Sequence, residues 1–216
     1  PSPPTHGATG AAAKPPWKMV AYVWNAAQDL AEPTLFAIEN VNGTDHDVPS
    51  RNQCKQCHEN IDGRVLGLGA IQLDLDGAPG DLDLADLIDE GLLSAPPVGT
   101  SPYFPLPGTA PEQAALGYLH VNCGTCHNPT TGVVTPEPQM ALRLEVGGLA
   151  DTASTPTYQT TLGVPVADPR VTPGDLAGSK LYVKFTSVGG ARMPPIGTED
   201  LDPTGQAALE AWIDSL

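Results

Sequence analysis

The sequence predicts a mainly α, loop-rich fold, with an irregular first unit that has room for a few short strands and a helical second unit. Three observations predict it. The 216 residues include 24 prolines and 23 glycines, which keeps regular structure low. Two stretches, near 109–123 and 202–216, carry helix-start signals followed by apolar stripes. Between the units, residues 95–108 are rich in proline with glycine and serine, and read as a linker. The expected organisation is therefore a Pro/Ala-rich tether at 1–16, a first unit at 17–108 and a second at 109–216.

Residues 1–16 lack apolar periodicity, as a flexible tether does. Apolar density rises from Trp17 through Met19, Val20, Tyr22, Val23 and Trp24, and Leu35 to Val41 also has strand-like content. Leu82 to Leu93 mixes three- and four-residue apolar spacing, predicting a short amphipathic helix that ends before Ser94 and Pro96. The second unit opens on Thr109, Pro111 and Glu112, a capping box, with Ala115, Leu119 and Cys123 following on one face. Asp202 and Pro203 start the last helix, whose stripe is Leu209, Trp212, Ile213 and Leu216.

All four cysteines fall in two copies of one pattern: Cys54-Lys55-Gln56-Cys57-His58 and Cys123-Gly124-Thr125-Cys126-His127. Two cysteines about one helical turn apart can each form a thioether to a haem vinyl group, and the histidine that follows reaches the iron from one side. Two covalently attached c-type haems are the expected cofactors, with Cys54, Cys57, Cys123 and Cys126 holding them and His58 and His127 as axial ligands. A four-thiolate zinc site needs no histidine after each pair and favours closer spacing of the pairs. A thioredoxin-like dithiol belongs beside a βαβ unit, which this pattern lacks. Buried haem would also supply apolar volume to a chain that is only 5% aromatic.

Each iron has a sixth position, and outside the motifs the usual ligands are Met19, Met140, Met193, His6, His46 and His120. Met193 stands in Gly190-Ala191-Arg192-Met193-Pro194-Pro195, just ahead of the last helix. Helix, CxxCH, loop-rich middle, Met-Pro-Pro turn and closing helix together resemble class I cytochrome c over about 109–216. That resemblance implies Met193 as the distal ligand of the second haem. The chain from about 17 onward also looks like a group of bacterial dihaem cytochromes. The matching residues are Tyr22-Val23-Trp24-Asn25, Val48-Pro49-Ser50-Arg51, Gly67-Leu68, Gln72-Leu73 and Tyr118-Leu119-His120-Val121-Asn122, with Asp74 where asparagine would be expected. For the first haem, His120 is the leading distal ligand, since it shares a helix face with its own motif and could point at the neighbouring haem. His46, Met19 and an open position are the alternatives.

Arg51 and Arg192 are placed to pair with haem propionates. The acidic residues Asp74, Asp76, Asp81 and Asp83 depart from the EF-hand order, so a solvated loop is expected there rather than calcium. A formal charge of −15, from 25 acidic and 10 basic residues, disfavours nucleic acid as a partner and suits basic redox proteins or neighbouring haem subunits. No run of about 18 apolar residues is available for a membrane span. The chain opens at Pro1 with no leader and no early cysteine for a lipid anchor, as a processed product would.

The expected function is single-electron transfer between redox partners by an exported dihaem cytochrome that is not itself an enzyme. Haem attachment to CxxCH in such proteins takes place outside the cytoplasmic membrane, so the periplasm or the cell surface is the expected location. The alternatives are a dihaem peroxidase-like enzyme with one open iron, and the haem module of a larger dehydrogenase or cytochrome assembly.

Overall fold

The computed structural model describes residues 17–216 except 62, 76, 77, 79, 131–138, 163, 165–168 and 198. The tether, His6 and Asp76 lie outside the described residues. Helices dominate, as the sequence predicts. In order these are α1 (Arg51–His58), α2 (Ala70–Leu73), α3 (Leu84–Asp89), α4 (Ala110–Asn122), α5 (Pro156–Thr161), α6 (Lys180–Thr186) and α7 (Pro203–Ser215).

Before them, strands β1 (Ala21–Trp24) and β2 (Ala31–Thr34) form an antiparallel hairpin in which Tyr22 faces Pro33 and Val23 faces Glu32. The strand content expected at Leu35–Val41 reduces to a single bridge between Ile38 and Val48. The backbone turns left-handed at Asn40 and Asn42, which ends extended pairing there. The expected helix over 82–93 is shorter too. Asp83 and Asp86 cap each other's backbone N–H groups at its start, and it stops at Asp89, ahead of Gly91 at φ +67°.

α4 and α7 cross to make the main core. Ala115, Leu119, Leu209, Trp212 and Ile213 are fully buried there with Leu142 and Val171, and Tyr158, Tyr182 and Phe185 pack around them. Burial of such a set supplies about 1.5–3 kcal/mol for each large side chain, the main force holding the helices together. Leu216, the fourth residue of the predicted stripe, is exposed.

One hydrogen-bond chain staples this crossing. Trp212 Nε1 donates to Tyr158 Oη (3.0 Å), and Tyr158 Oη donates to Glu112 Oε1 (2.5 Å). Glu112 Oε2 accepts from the Thr109 backbone N–H (2.6 Å) and from its hydroxyl (2.9 Å). The Thr109 hydroxyl thus serves as a donor to the carboxylate. These bonds hold the Glu112 carboxyl below its usual range, and burial pushes Tyr158 up to about 12.

A second cluster, Ile71 of α2 with Leu116 of α4 and Leu144, joins Phe104 and Leu106. It carries the packing across position 108, so α2 is seated against the helix that leads into the second motif.

Candidate functional site

α1 exists to present the first motif. Ser50 caps it: the Gln53 side chain accepts from the Ser50 N–H (2.8 Å), and the Gln53 N–H reaches the Ser50 hydroxyl (3.4 Å). Cys54, Cys57 and His58 then fall on its last turns. His58 Nδ1 stands 2.8 Å from the Arg64 carbonyl oxygen. A carbonyl can only accept, so the ring proton sits on Nδ1 and the Nε2 lone pair is left for a metal, the arrangement that orients ligating histidines in general.

The second motif follows the end of α4. Cys123 caps the helix and packs on the main core, and burial raises its thiol to about 12. The Cys126 and His127 N–H groups both turn back to the Cys123 carbonyl. His127 is buried, and its Nδ1 has no hydrogen-bond partner. Burial, and then the nearby Arg170 guanidinium, lower its pKa, with the Met140 backbone acting in the opposite direction. The shift favours the neutral ring, the form that binds a metal.

The two motifs, remote in sequence, meet in space. Cys57 Sγ and Cys126 Sγ are 4.0 Å apart, Cys126 Sγ lies 3.6 Å from the Gln56 carbonyl oxygen, and the Thr130 hydroxyl donates to the Asn60 carbonyl (3.2 Å). The sulfur–sulfur hydrogen bond raises Cys57 and lowers Cys126 to about 6. All four cysteines are free thiols, with no disulfide among them. Among the described residues, no three His, Cys, Asp or Glu side chains are grouped closely enough to hold a metal ion between them.

Beside this junction opens a cavity of about 570 Å³. Cys57 and Cys123 stand on its wall, and so does Met193. Leu66, Phe185, Val188, Ile196 and Leu201 give it an apolar lining, while Glu199, Asp200 and Asp202 supply acidic groups. That combination and size suit a large apolar cofactor with a few polar contacts. The Met193 N–H bonds to the Lys184 carbonyl (2.9 Å), which ties the Met-Pro-Pro turn to the end of α6. Thiols, imidazoles and a thioether are the donor types that covalently held haem uses, and of these Cys57, Cys123 and Met193 stand on the cavity wall.

Of the remaining predicted residues, Cys54, His58, Cys126, His127, His120, His46 and Met19 do not line this cavity. His46 is exposed and Met19 is buried. His120 is 4% exposed, and its Nδ1 accepts from the Leu144 backbone N–H at 2.9 Å. Burial, followed by the Arg143 charge, lowers its pKa to about 4. Arg192 is on the cavity wall but its guanidinium is engaged by the Glu199 carbonyl (2.7 Å) and carboxylate (3.2 Å). Arg51 lies exposed at the start of α1. Asp74 accepts from the Phe104 N–H, Asp81 from the Ala78 N–H, and Asp83 caps α3. These carboxylates are thus spent on backbone donors.

Two parts of the site were not assigned a role from the sequence. One is the Arg64 carbonyl that sets the His58 tautomer. The other is Tyr118 on the cavity wall, whose ring meets Phe185 edge-on at 5.9 Å and whose pKa burial and Asp202 raise. A tyrosine one turn before Asn122, on the helix face that leads into the second motif, was the available signal for the second.

Comparison with protein-family models, with curated proteins and with solved structures finds no match for this chain.

Proposed function

We propose that this chain is a c-type cytochrome, a protein whose covalently bound haem exchanges one electron at a time. More particularly, it is an exported dihaem carrier that passes electrons between redox partners in the periplasm or at the cell surface. The observation that carries the reading is the meeting of two complete CxxCH motifs, with Cys57 and Cys126 4.0 Å apart, beside an apolar cavity that Met193 also lines. Among the described residues no helix is long and apolar enough to cross a membrane.

Cys54 and Cys57 would hold one haem with His58 as an axial ligand, and Cys123 and Cys126 the other with His127 and Met193. When bound, haem supplies reversible one-electron iron chemistry. The protein's share is orientation, burial and ligand choice. The Arg64 carbonyl holds the proton on His58 Nδ1 and so leaves Nε2 its lone pair, burial favours the neutral form of His127, and Leu66, Phe185 and Ile196 give the cavity an apolar wall. The turn bonded to Lys184 sets where the Met193 thioether stands, and thioether ligation favours a higher potential than a second histidine.

The test is expression in a bacterium competent to attach haem, followed by intact mass and absorption and magnetic resonance spectra. The wild type should gain the mass of two haems, and the Cys54→Ser/Cys57→Ser and Cys123→Ser/Cys126→Ser pairs should each lose one. Met193→Ala should abolish a methionine-to-iron charge-transfer band. A wild type without covalent haem overturns the reading, and a high-spin iron that turns over peroxide replaces the carrier by an enzyme.

A further inference from the structure

His120, on α4, is buried and hydrogen-bonded through Nδ1. Residues Ala141, Leu142 and Leu144 form a buried extended run laid across the start of the second motif. Three of its N–H groups are pinned from three different elements: Ala141 to the Thr160 hydroxyl (2.9 Å), Leu142 to the His127 carbonyl (2.8 Å) and Leu144 to His120 Nδ1 (2.9 Å). The approach is close enough that a Cβ on Gly124 would come within 2.5 Å of the His120 carbonyl oxygen and 2.9 Å of the Arg143 Cα. The same run leads directly from Met140, whose backbone acts on the His127 ring.

We propose that His120 is a positioning residue, holding the 141–144 run against the second motif and thereby the setting of His127, and that it is not a ligand of either iron. This rests on the dihaem reading. A neutral imidazole has one acceptor nitrogen, and here the Leu144 N–H occupies it, so the proton is on Nε2. Binding iron through Nε2 would move the proton to Nδ1 and set two N–H donors face to face. The buried Leu144 N–H would then lose its partner, which is the costly way to rearrange a hydrogen bond.

His120→Asn and His120→Ala, each made as the haem-loaded protein, separate the two roles, because a carboxamide oxygen can accept from Leu144 but does not replace an imidazole on iron. The readouts are haem mass, low-temperature magnetic resonance of each iron, and amide exchange at Leu142 and Leu144. The expected result is two low-spin haems in both variants. In His120→Ala the Leu144 amide should exchange roughly ten-fold faster and the resonance of the haem on His127 should shift, with both effects reversed largely by asparagine. A variant in which one iron becomes high-spin and binds cyanide overturns the proposal. If the wild type carries no haem, the cytochrome reading falls by itself. Unchanged Leu144 exchange in His120→Ala overturns the pinning on its own.

Discussion

At Gly124 a single hydrogen atom sets how closely the second motif can lie against the 141–144 run. A methyl group there would meet the His120 carbonyl and the Arg143 backbone, neither of which can swing aside. Gly124→Ala is therefore expected to lower stability by about 1–3 kcal/mol, the usual cost of overpacking, read as a fall in the denaturation midpoint. An unchanged midpoint would mean the run is free to lift. His120 gives the pH dependence at this scale. Its folded pKa, about 4, lies below the unfolded value near 6.5, so the unfolded chain takes up a proton first as pH falls. Its contribution is intact above about pH 6.5 and is lost progressively toward pH 4, by up to about 3 kcal/mol. Denaturation of wild type and His120→Asn from pH 7 to 4 isolates this from the carboxylates. Equal slopes would contradict it. The motif residues were legible in sequence because thiol, thiol and imidazole at fixed spacing form a local pattern. Residue type and helix face mark His120 as a candidate ligand, but its bond to the Leu144 N–H is not legible in the sequence, because only the folded chain brings Leu144 near. The Arg64 carbonyl was invisible for a related reason, since every residue has one.

Elements were legible where their signals were local. The capping residues of α4 and α7 stand where Thr109–Glu112 and Asp202–Pro203 predict, and their stripes form the core. Strand β1 fell within the apolar rise after Trp17. The failures came from backbone conformation: left-handed Asn40 and Asn42 broke the strand content after Leu35, and the turn at Gly91 cut α3 short. What could not be read was the cross-element chain from Trp212 through Tyr158 to Glu112, which makes one indole both core and staple. Trp212→Ala removes a fully buried ring and leaves Tyr158 without its donor. It should cost about 3–5 kcal/mol. Thermal unfolding gives the number, and a loss under about 1 kcal/mol would mean that α7 is not the clamp over α4 that the packing implies.

At the scale of the whole molecule, composition spoke about charge and was silent about proximity. Nothing in the spacing of 54–58 and 123–127 says that the motifs adjoin, because that depends on α2 seating against α4 and on the Thr130–Asn60 contact. The charge, in contrast, is a property of the sum: −15 overall, with Glu199, Asp200 and Asp202 at the cavity and Arg192 there already engaged by Glu199. A field of that sign should attract cationic redox partners and repel anionic ones, with most of the effect on association rate. The reduced, haem-loaded protein should then be oxidised faster by a tripositive cobalt complex than by hexacyanoferrate(III) of similar driving force, measured by stopped flow at low salt. The two rates should converge as ionic strength rises and the screening length shrinks to about 8 Å near 0.15 M. A ratio that salt leaves unchanged would place electron exit on a face without net charge. A ratio reversed in sign would move it away from the acidic wall of the cavity altogether.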